Sequence, residues 1–286
     1  MRVSVIIPTR NAERHIEALL SALEAQTLVP EEIIVVDSSS TDRTAQIAQR
    51  HGRVRFMTIP AASFDHGGTR DMAARQATGD ALVFMTQDAV PADGAVLEAL
   101  AGALEDGTVA AAYARQLPRP DAWPREKLVR AFNYPEQSTV HDRHSRLGLR
   151  TYYLSNACAA YRRENYLALG GFETKLRSNE DMLFAAKAIR AGYRIAYCAE
   201  ARVIHSHNLT LAEQYRRNKL QGYELARHRE LLGDDSPVGS GKQMLLYVTR
   251  GLLRQGRLPD CLAFGLDCVA RFAGNRAGKR EFEKGR

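Results

Sequence analysis

The side chains in this sequence that could do chemistry fall in a few places: Asp88 in FMTQDAVP (84 to 91), Asp37 closing EIIVVD, Glu180 and Asp181 in NED, and His205 and His207 in HSH. An acid that stops a buried apolar run can hold a divalent cation over a ligand at the carboxyl edge of a sheet. It can equally cap the next helix, with Pro91 starting that helix. Asp37 can accept hydrogen bonds from a pyrimidine ring NH or from ribose hydroxyls, while the hydroxyls from Ser38 to Thr41 read as N-capping of a helix. Gly67, Gly68 and Arg70 in DHGGTR offer backbone NH groups and a guanidinium to a phosphate, or form a plain glycine turn. Glu180 and Asp181 open a helix where the dipole favours negative charge; adjacent acids point different ways, so at most one is expected to face a site. His205 and His207 lie two apart in extended chain and share a face, as two metal ligands would, although a lone pair of this kind is more often polar packing.

These residues sit at the ends of regular elements. The runs VSVII (3 to 7), EIIVV (32 to 36), VRFMTI (54 to 59) and ALVFM (81 to 85) read as strands, and Ile16, Leu19, Leu20 and Leu23 follow a helical period. Strands separated by helical crossovers make a parallel sheet covered on both faces, with ligands beyond the strands' carboxyl ends. The loops there, PTRN, DSSSTD, PAASFDHGGTRD and TQDAVP, are all polar. PTRN is not G-x-G-x-x-G, and GSGK at 239 to 242 follows no strand, so neither a dinucleotide fingerprint nor a P-loop is present.

Past residue 110 a strand at 110 to 113 leads into expected mobile loops with one short helix, in a segment whose Trp123 and Tyr134 are expected to shape a pocket. A strand at 152 to 161, a helix ended by Gly170 and Gly171, a helix ended by Gly192, and two strands, RIAYC and ARVIH, follow. From Leu209 the chain reads as helical, with a break at GDDSPVGSG and a frayed end at NRAGKREFEKGR. The last two helices mix basic residues with Leu, Tyr and Phe, which suits either an anionic membrane surface or, with the greater weight, a hairpin packed on the main domain.

The 286 residues are 45% hydrophobic, enough for a sizeable core, and the net charge of +7 by itself selects no partner. The four cysteines form no C-x-x-C pair, no run approaches a membrane span, and the expected location is cytoplasmic.

In order, SVIIPTRN, IIVVDSSSTD, FDHGGTRDMAA, FMTQDA and NEDMLFAAKAIRAGY resemble the inverting family 2 glycosyltransferases, and FDHGGTR, TQDA and HSH resemble their rhamnosyltransferase branch. The resemblance implies an α/β fold of the GT-A, Rossmann-like kind with a mostly parallel central sheet and a C-terminal helical extension. It covers about residues 1 to 230 and divides them into a nucleotide-sugar half (1–110) and an acceptor and catalytic half (111–230); the helical extension (231–286), with its basic helices, is expected to allow peripheral membrane association at the inner face of the plasma membrane. It implies a bacterial, metal-dependent enzyme of cell-surface polysaccharide synthesis using Mg²⁺ or Mn²⁺. The donor is a nucleotide-diphospho-sugar, dTDP-rhamnose first and a UDP-sugar second; the acceptor is a polysaccharide or lipid-linked glycan, and nucleic acid is not expected. A non-catalytic nucleotide- or carbohydrate-binding module is the remaining alternative. By the same resemblance Pro8, Thr9, Asp37, Gly68, Arg70, Gln87 and Asp88 hold the donor. Asp88, His205 and His207 hold the metal, and Asp181 is the base with Glu180 as its rival. Thr86 stands where the family's D-x-D motif has its first acid, and Asp71 where many relatives have asparagine.

Overall fold

Apolar runs become buried strands here because helices cover both faces of the sheet. The computed structural model describes residues 1–233 and 238–285. Its first half runs β1 Val3–Thr9, α1 Ile16–Glu24, β2 Glu32–Asp37, α2 Thr44–Ala48, β3 Val54–Thr58, α3 His66–Gln76 and β4 Ala81–Met85. Then come β5 Val90–Pro91, α4 Val96–Ala103, β6 Val109–Leu117, α5 Pro124–Asn133, β7 Thr139–His141, β8 Cys158–Arg162, α6 Arg163–Ala168 and α7 Glu180–Arg190. The chain closes with β9 Arg194–Ile204, α8 Leu211–Arg227, α9 Arg229–Leu232, α10 Val238–Arg254 and α11 Leu258–Lys284.

The strand order is β3-β2-β1-β4-β8-β6-β9-β5, with β7 paired to β9. The first four strands are parallel, β8 runs against both β4 and β6, and β9 is parallel to β6. Val3, Val5 and Ile7 pack on one face with Ile16, Leu19, Leu20 and Leu23 of α1; Ile6, Ile34 and Val36 face α3 and α7 on the other. No side chain caps the start of α1. Its buried aliphatic side chains contribute roughly 1.5–3 kcal/mol each, which outweighs the ~1 kcal/mol of a missing cap.

The structure departs from the sequence reading at several points. Asp88 caps no helix: Pro91 lies in β5, paired to Val203, and α4 begins only at Val96. RIAYC and ARVIH are one strand, β9, which slips register between Cys198, opposite Ala114, and Arg202, opposite Arg115. That bulge lets one strand look like two in the pattern. The strand expected from 152 starts at Cys158, because Tyr152 closes a 3-10 turn and Tyr153, Ser155, Asn156 and Ala157 line a cavity instead. The one short helix expected among the loops is present as α5, ten residues long and opened by Pro124.

The expected break at GDDSPVGSG lies outside the described residues at 234–237, and α10 already covers Gly239 to Gly241. The tail does not fray: α11 continues to Lys284. Glycines let it meet α8 backbone to backbone, since a Cβ on Gly278 would stand 1.9 Å from the Lys219 carbonyl oxygen and one on Gly274 2.3 Å from that of Tyr215. Glu281 then binds Lys219 at 2.7 Å and Arg177 at 2.5 Å.

Candidate active site

At the carboxyl end of β4, three side chains converge. Just past the end of β9, the chain carries His205 and His207 to one face while Ser206 turns away and accepts the Arg119 N–H at 2.9 Å. Nε2 of His205 stands 3.6 Å from Asp88, and Nε2 of His207 3.5 Å. One donor atom from each residue lies within 4.8 Å of the others, a spacing that can hold a divalent metal.

Hydrogen bonding sets the tautomer. Gln116 Oε1 accepts from the Arg130 guanidinium at 2.5 Å and lies 2.9 Å from His205 Nδ1, while Gln116 Nε2 donates to Ser155 at 2.8 Å. An oxygen can only accept, so His205 Nδ1 carries the proton and the lone pair on its Nε2 is left to accept from His207 Nε2, 3.1 Å away, beside Asp88. Burial drives the His205 imidazole down to about 3 and lowers His207, against the pull of Asp88. Burial pushes Asp88 up, but the two histidines together with the Thr86 hydroxyl and the backbone N–H of Asp88 itself hold its carboxyl below the ordinary range. At neutral pH the cluster is one carboxylate with two neutral imidazoles, a donor set that fits a divalent metal.

Such second-sphere support usually matters 10–100-fold in metal affinity. Gln116→Met, which keeps the volume and removes the acceptor, should weaken Mn²⁺ binding by about that factor in a titration followed by electron paramagnetic resonance. Unchanged affinity would mean that Gln116 does not orient the ring.

Across the same cavity, of about 410 Å³, stands the start of α7. Asp181 accepts the N–H groups of Asn156 at 3.0 Å and Met182 at 2.8 Å. It keeps some surface open to the cavity but is otherwise enclosed, and burial, with Glu180 adding, pushes its carboxyl up to about 7. Glu180 is engaged elsewhere, 3.2 Å from the Arg70 guanidinium and accepting from Asn156 at 3.1 Å. Both acids border the cavity, contrary to the expectation that only one would, because both occupy the first turn at the end of the helix.

The remaining candidates divide. Arg70 lines the cavity but is buried, donating to the His66 carbonyl at 3.0 Å besides its pair with Glu180. Gly68 sits in the first turn of α3 with its N–H donated to Asp65 at 2.9 Å, and a Cβ there would approach Asp65 to 2.6 Å, so this glycine serves packing. Pro8, Thr9, Asp37 and Gln87 lie outside the cavity, where β1, β2 and β4 end. Asp37 accepts from Thr9 at 3.0 Å and from the Ser40 N–H at 2.8 Å; Gln87 ties down Arg10 through bonds of 2.8 and 3.2 Å. Asp71 accepts from Arg75 at 2.7 Å and Tyr166 at 3.0 Å, which joins α3 to α6. Tyr134 lines the cavity, whereas Trp123 precedes α5 and stacks under Arg125 at 3.9 Å.

Gln116, Arg130 and Arg217 were not singled out by the sequence reading. Arg217 projects from α8 into the cavity with no ion-pair partner among the described residues, and its positive charge bears on both histidines. Helical periodicity could have placed it on an inward face, but its neighbour Arg216 carries the same charge and nothing local tells the two apart.

The sequence profile of Glycosyl transferase family 2 matches residues 4–170. The chain is 41% identical over 220 residues to the O-antigen chain rhamnosyltransferase RfbN of Salmonella typhimurium, covering 76% of this chain and 70% of that protein. It is likewise 41% identical over 218 residues to the O-antigen chain rhamnosyltransferase WbaN of Salmonella anatum, covering 75% and 69%. Its fold is that of the mannosyltransferase PcManGT from Pyrobaculum calidifontis solved with GDP-Man and Mn²⁺, at a TM-score of 0.66 and 21% identity over 98% of this chain and 86% of that one. S. aureus TarS 1–349 with UDP-GlcNAc shares it too, at a TM-score of 0.59 and 19% identity over 100% and 93%. The sheet order and these likenesses identify the fold as GT-A. With the profile spanning more than half of its length and a close relative matched along most of theirs, the chain belongs to glycosyl transferase family 2.

Proposed function

We propose that this glycosyltransferase of cell-surface polysaccharide synthesis moves L-rhamnose from dTDP-rhamnose onto a glycan, with inversion at C1. The observation that carries the reading is one cavity holding both the Asp88, His205 and His207 cluster and a carboxyl raised to about 7. The rhamnosyl donor is supported by the 41% identity to RfbN and WbaN. Residues 1–110 then hold the nucleotide, with Asp37 at the base and ribose, and residues 111–230 hold the acceptor.

Asp181 takes the proton from the acceptor hydroxyl as that oxygen bonds to C1. The bond from C1 to the diphosphate breaks, and its electron pair leaves with the phosphate oxygen. Arg217 supplies unneutralised positive charge to the departing group, while Arg70, already paired, mainly positions Glu180 and the start of α7. A divalent cation bound at the cluster would add Lewis-acid stabilisation of the same diphosphate. Two imidazoles with one carboxylate favour Mn²⁺ over Mg²⁺, which prefers all-oxygen ligands. The deciding experiment incubates the purified chain with dTDP-rhamnose, UDP-glucose and GDP-mannose plus Mn²⁺ and follows nucleotide release. Turnover of a UDP- or GDP-sugar in preference to dTDP-rhamnose would overturn the donor assignment.

The C-terminal hairpin supports contact with an anionic membrane. Val248, Leu252 and Phe264 pack against Val129 of α5, yet Leu258, Leu262, Leu266, Val269 and Phe272 form an outward stripe, Leu262 being 76% exposed. No described helix is long and apolar enough to cross a membrane. Leu262→Glu with Leu266→Glu, which leaves the packed face intact, should cut sedimentation with anionic vesicles at least fivefold. Equal sedimentation by the variant would remove the stripe from membrane binding.

A further inference from the structure

A second cavity, of about 1130 Å³, opens beside the first. Tyr153, Asn218, Gln221 and Arg271 line both, so the two are contiguous. Its walls are residues 146–150, α8, the start of α10 and the C-terminal half of α11. Five arginines and two lysines face it against a single acid, Glu283. Four of these cations, Arg146, Lys242, Arg276 and Arg280, have no carboxylate partner among the described residues. Like charges gathered round one concavity repel unless an anion joins them, and low-dielectric walls sharpen that demand.

The remainder of the lining mixes amides, Asn179, Asn218, Gln221 and Asn275 among them, with apolar side chains. Leu147, Met182, Leu225 and Met244 contribute to it, and Phe272 belongs both to this cavity and to the exposed stripe of α11. The cations together with the apolar side chains that run to Phe272 suit an occupant anionic at one end and aliphatic at the other, and the shared wall lets its remaining part reach the cavity of Asp181. We infer that this cavity seats the diphosphate of a lipid-carried glycan acceptor, whose lipid leaves along the α11 stripe and whose terminal sugar enters beside Asp181. The inference rests on the transferase reading above and adds to it where the acceptor's lipid carrier sits and which residues hold its diphosphate.

The test uses the full chain, with farnesyl diphosphate, farnesol and inorganic pyrophosphate as probes and dTDP as a reference ligand, all by titration calorimetry. Farnesyl diphosphate should bind one to one, and Arg276→Ala with Arg280→Ala should weaken it at least tenfold while leaving dTDP affinity unchanged. Both arginines are exposed and have no carboxylate partner among the described residues, so the variant should fold; Lys242→Ala with Arg146→Ala should repeat the loss from the opposite wall. Farnesol should bind at least tenfold more weakly than its diphosphate, and so should pyrophosphate. Equal binding by the variants, displacement of the probe by dTDP, or pyrophosphate matching the prenyl compound would each overturn the inference, the last by revealing a site for free phosphate alone. Donor hydrolysis by the parent chain is measured in parallel: its absence counts against the transferase reading, whereas hydrolysis without probe binding removes only the acceptor carrier.

Discussion

Asp181→Asn should lower kcat by about 10³-fold, within the 10²–10⁴ range of general-base catalysis, and at the same time stabilise the protein above neutral pH. Both effects have one origin. The carboxyl is pushed from 3.8 to about 7 because burial and the neighbouring Glu180 disfavour its charge. Between those values the folded protein keeps a proton that the unfolded chain releases. The stability this group carries is therefore complete below about pH 3.8 and is lost as the pH rises toward 7. Asparagine has no charge to bury and can still accept from the Asn156 or Met182 N–H. Some cavity surface remains open to water, so the gain should be about 1–2 kcal/mol at pH 8, or roughly 2–6 °C in Tm, and should vanish near pH 4. In the parent enzyme kcat should rise with unit slope up to about pH 7, as the base ionises. A variant that is more stable but equally active would leave Asp181 as a merely buried acid and return the base role to another group.

What the sequence disclosed and what it withheld follow the range of the interactions. The strands β1, β2 and β4 and the helices α1 and α7 are marked by short-range periodicity, and each loop bearing a candidate acid lies where that pattern says a parallel sheet ends. The spacing of His205 and His207 is likewise local. Gln116 and Arg130 carry no comparable mark, because they matter only through His205, 89 residues from Gln116. The pairing of Arg70 with Glu180 spans a similar distance, and without it DHGGTR looks like an open phosphate clamp. The tail misled for the same reason: its helix is held by glycine contacts with α8 and by Glu281, and a terminal run rich in charge and glycine looks frayed until its partner is in place. The bulge in β9 has no local signature beyond a change of alternation at Glu200.

Asp88→Ala should weaken Mn²⁺ binding at least 100-fold and reduce kcat/KM by about 10³, with no rescue by excess Mn²⁺. The structural alternative for this residue is already narrow, since it caps no helix and α4 starts eight residues later, at Val96. Its side chain is 17% exposed, and what faces it is the pair of Nε2 atoms that burial keeps neutral. Removing the only anion of the cluster leaves two uncharged donors, which cannot compete with water for a hard divalent ion, and it leaves Arg217 alone to meet the charge of the departing diphosphate. Asp88→Asn separates charge from shape: if the carboxylate acts by its charge, it should bind Mn²⁺ nearly as poorly as alanine does. Nucleotide affinity measured in chelator should stay within about twofold in both variants, because Asp37 and its neighbours at the ends of β1 and β2 are untouched. Retained Mn²⁺ affinity in either variant would place the cation away from β4, and retained turnover without Mn²⁺ would assign the leaving-group charge to Arg217 and the arginines around it.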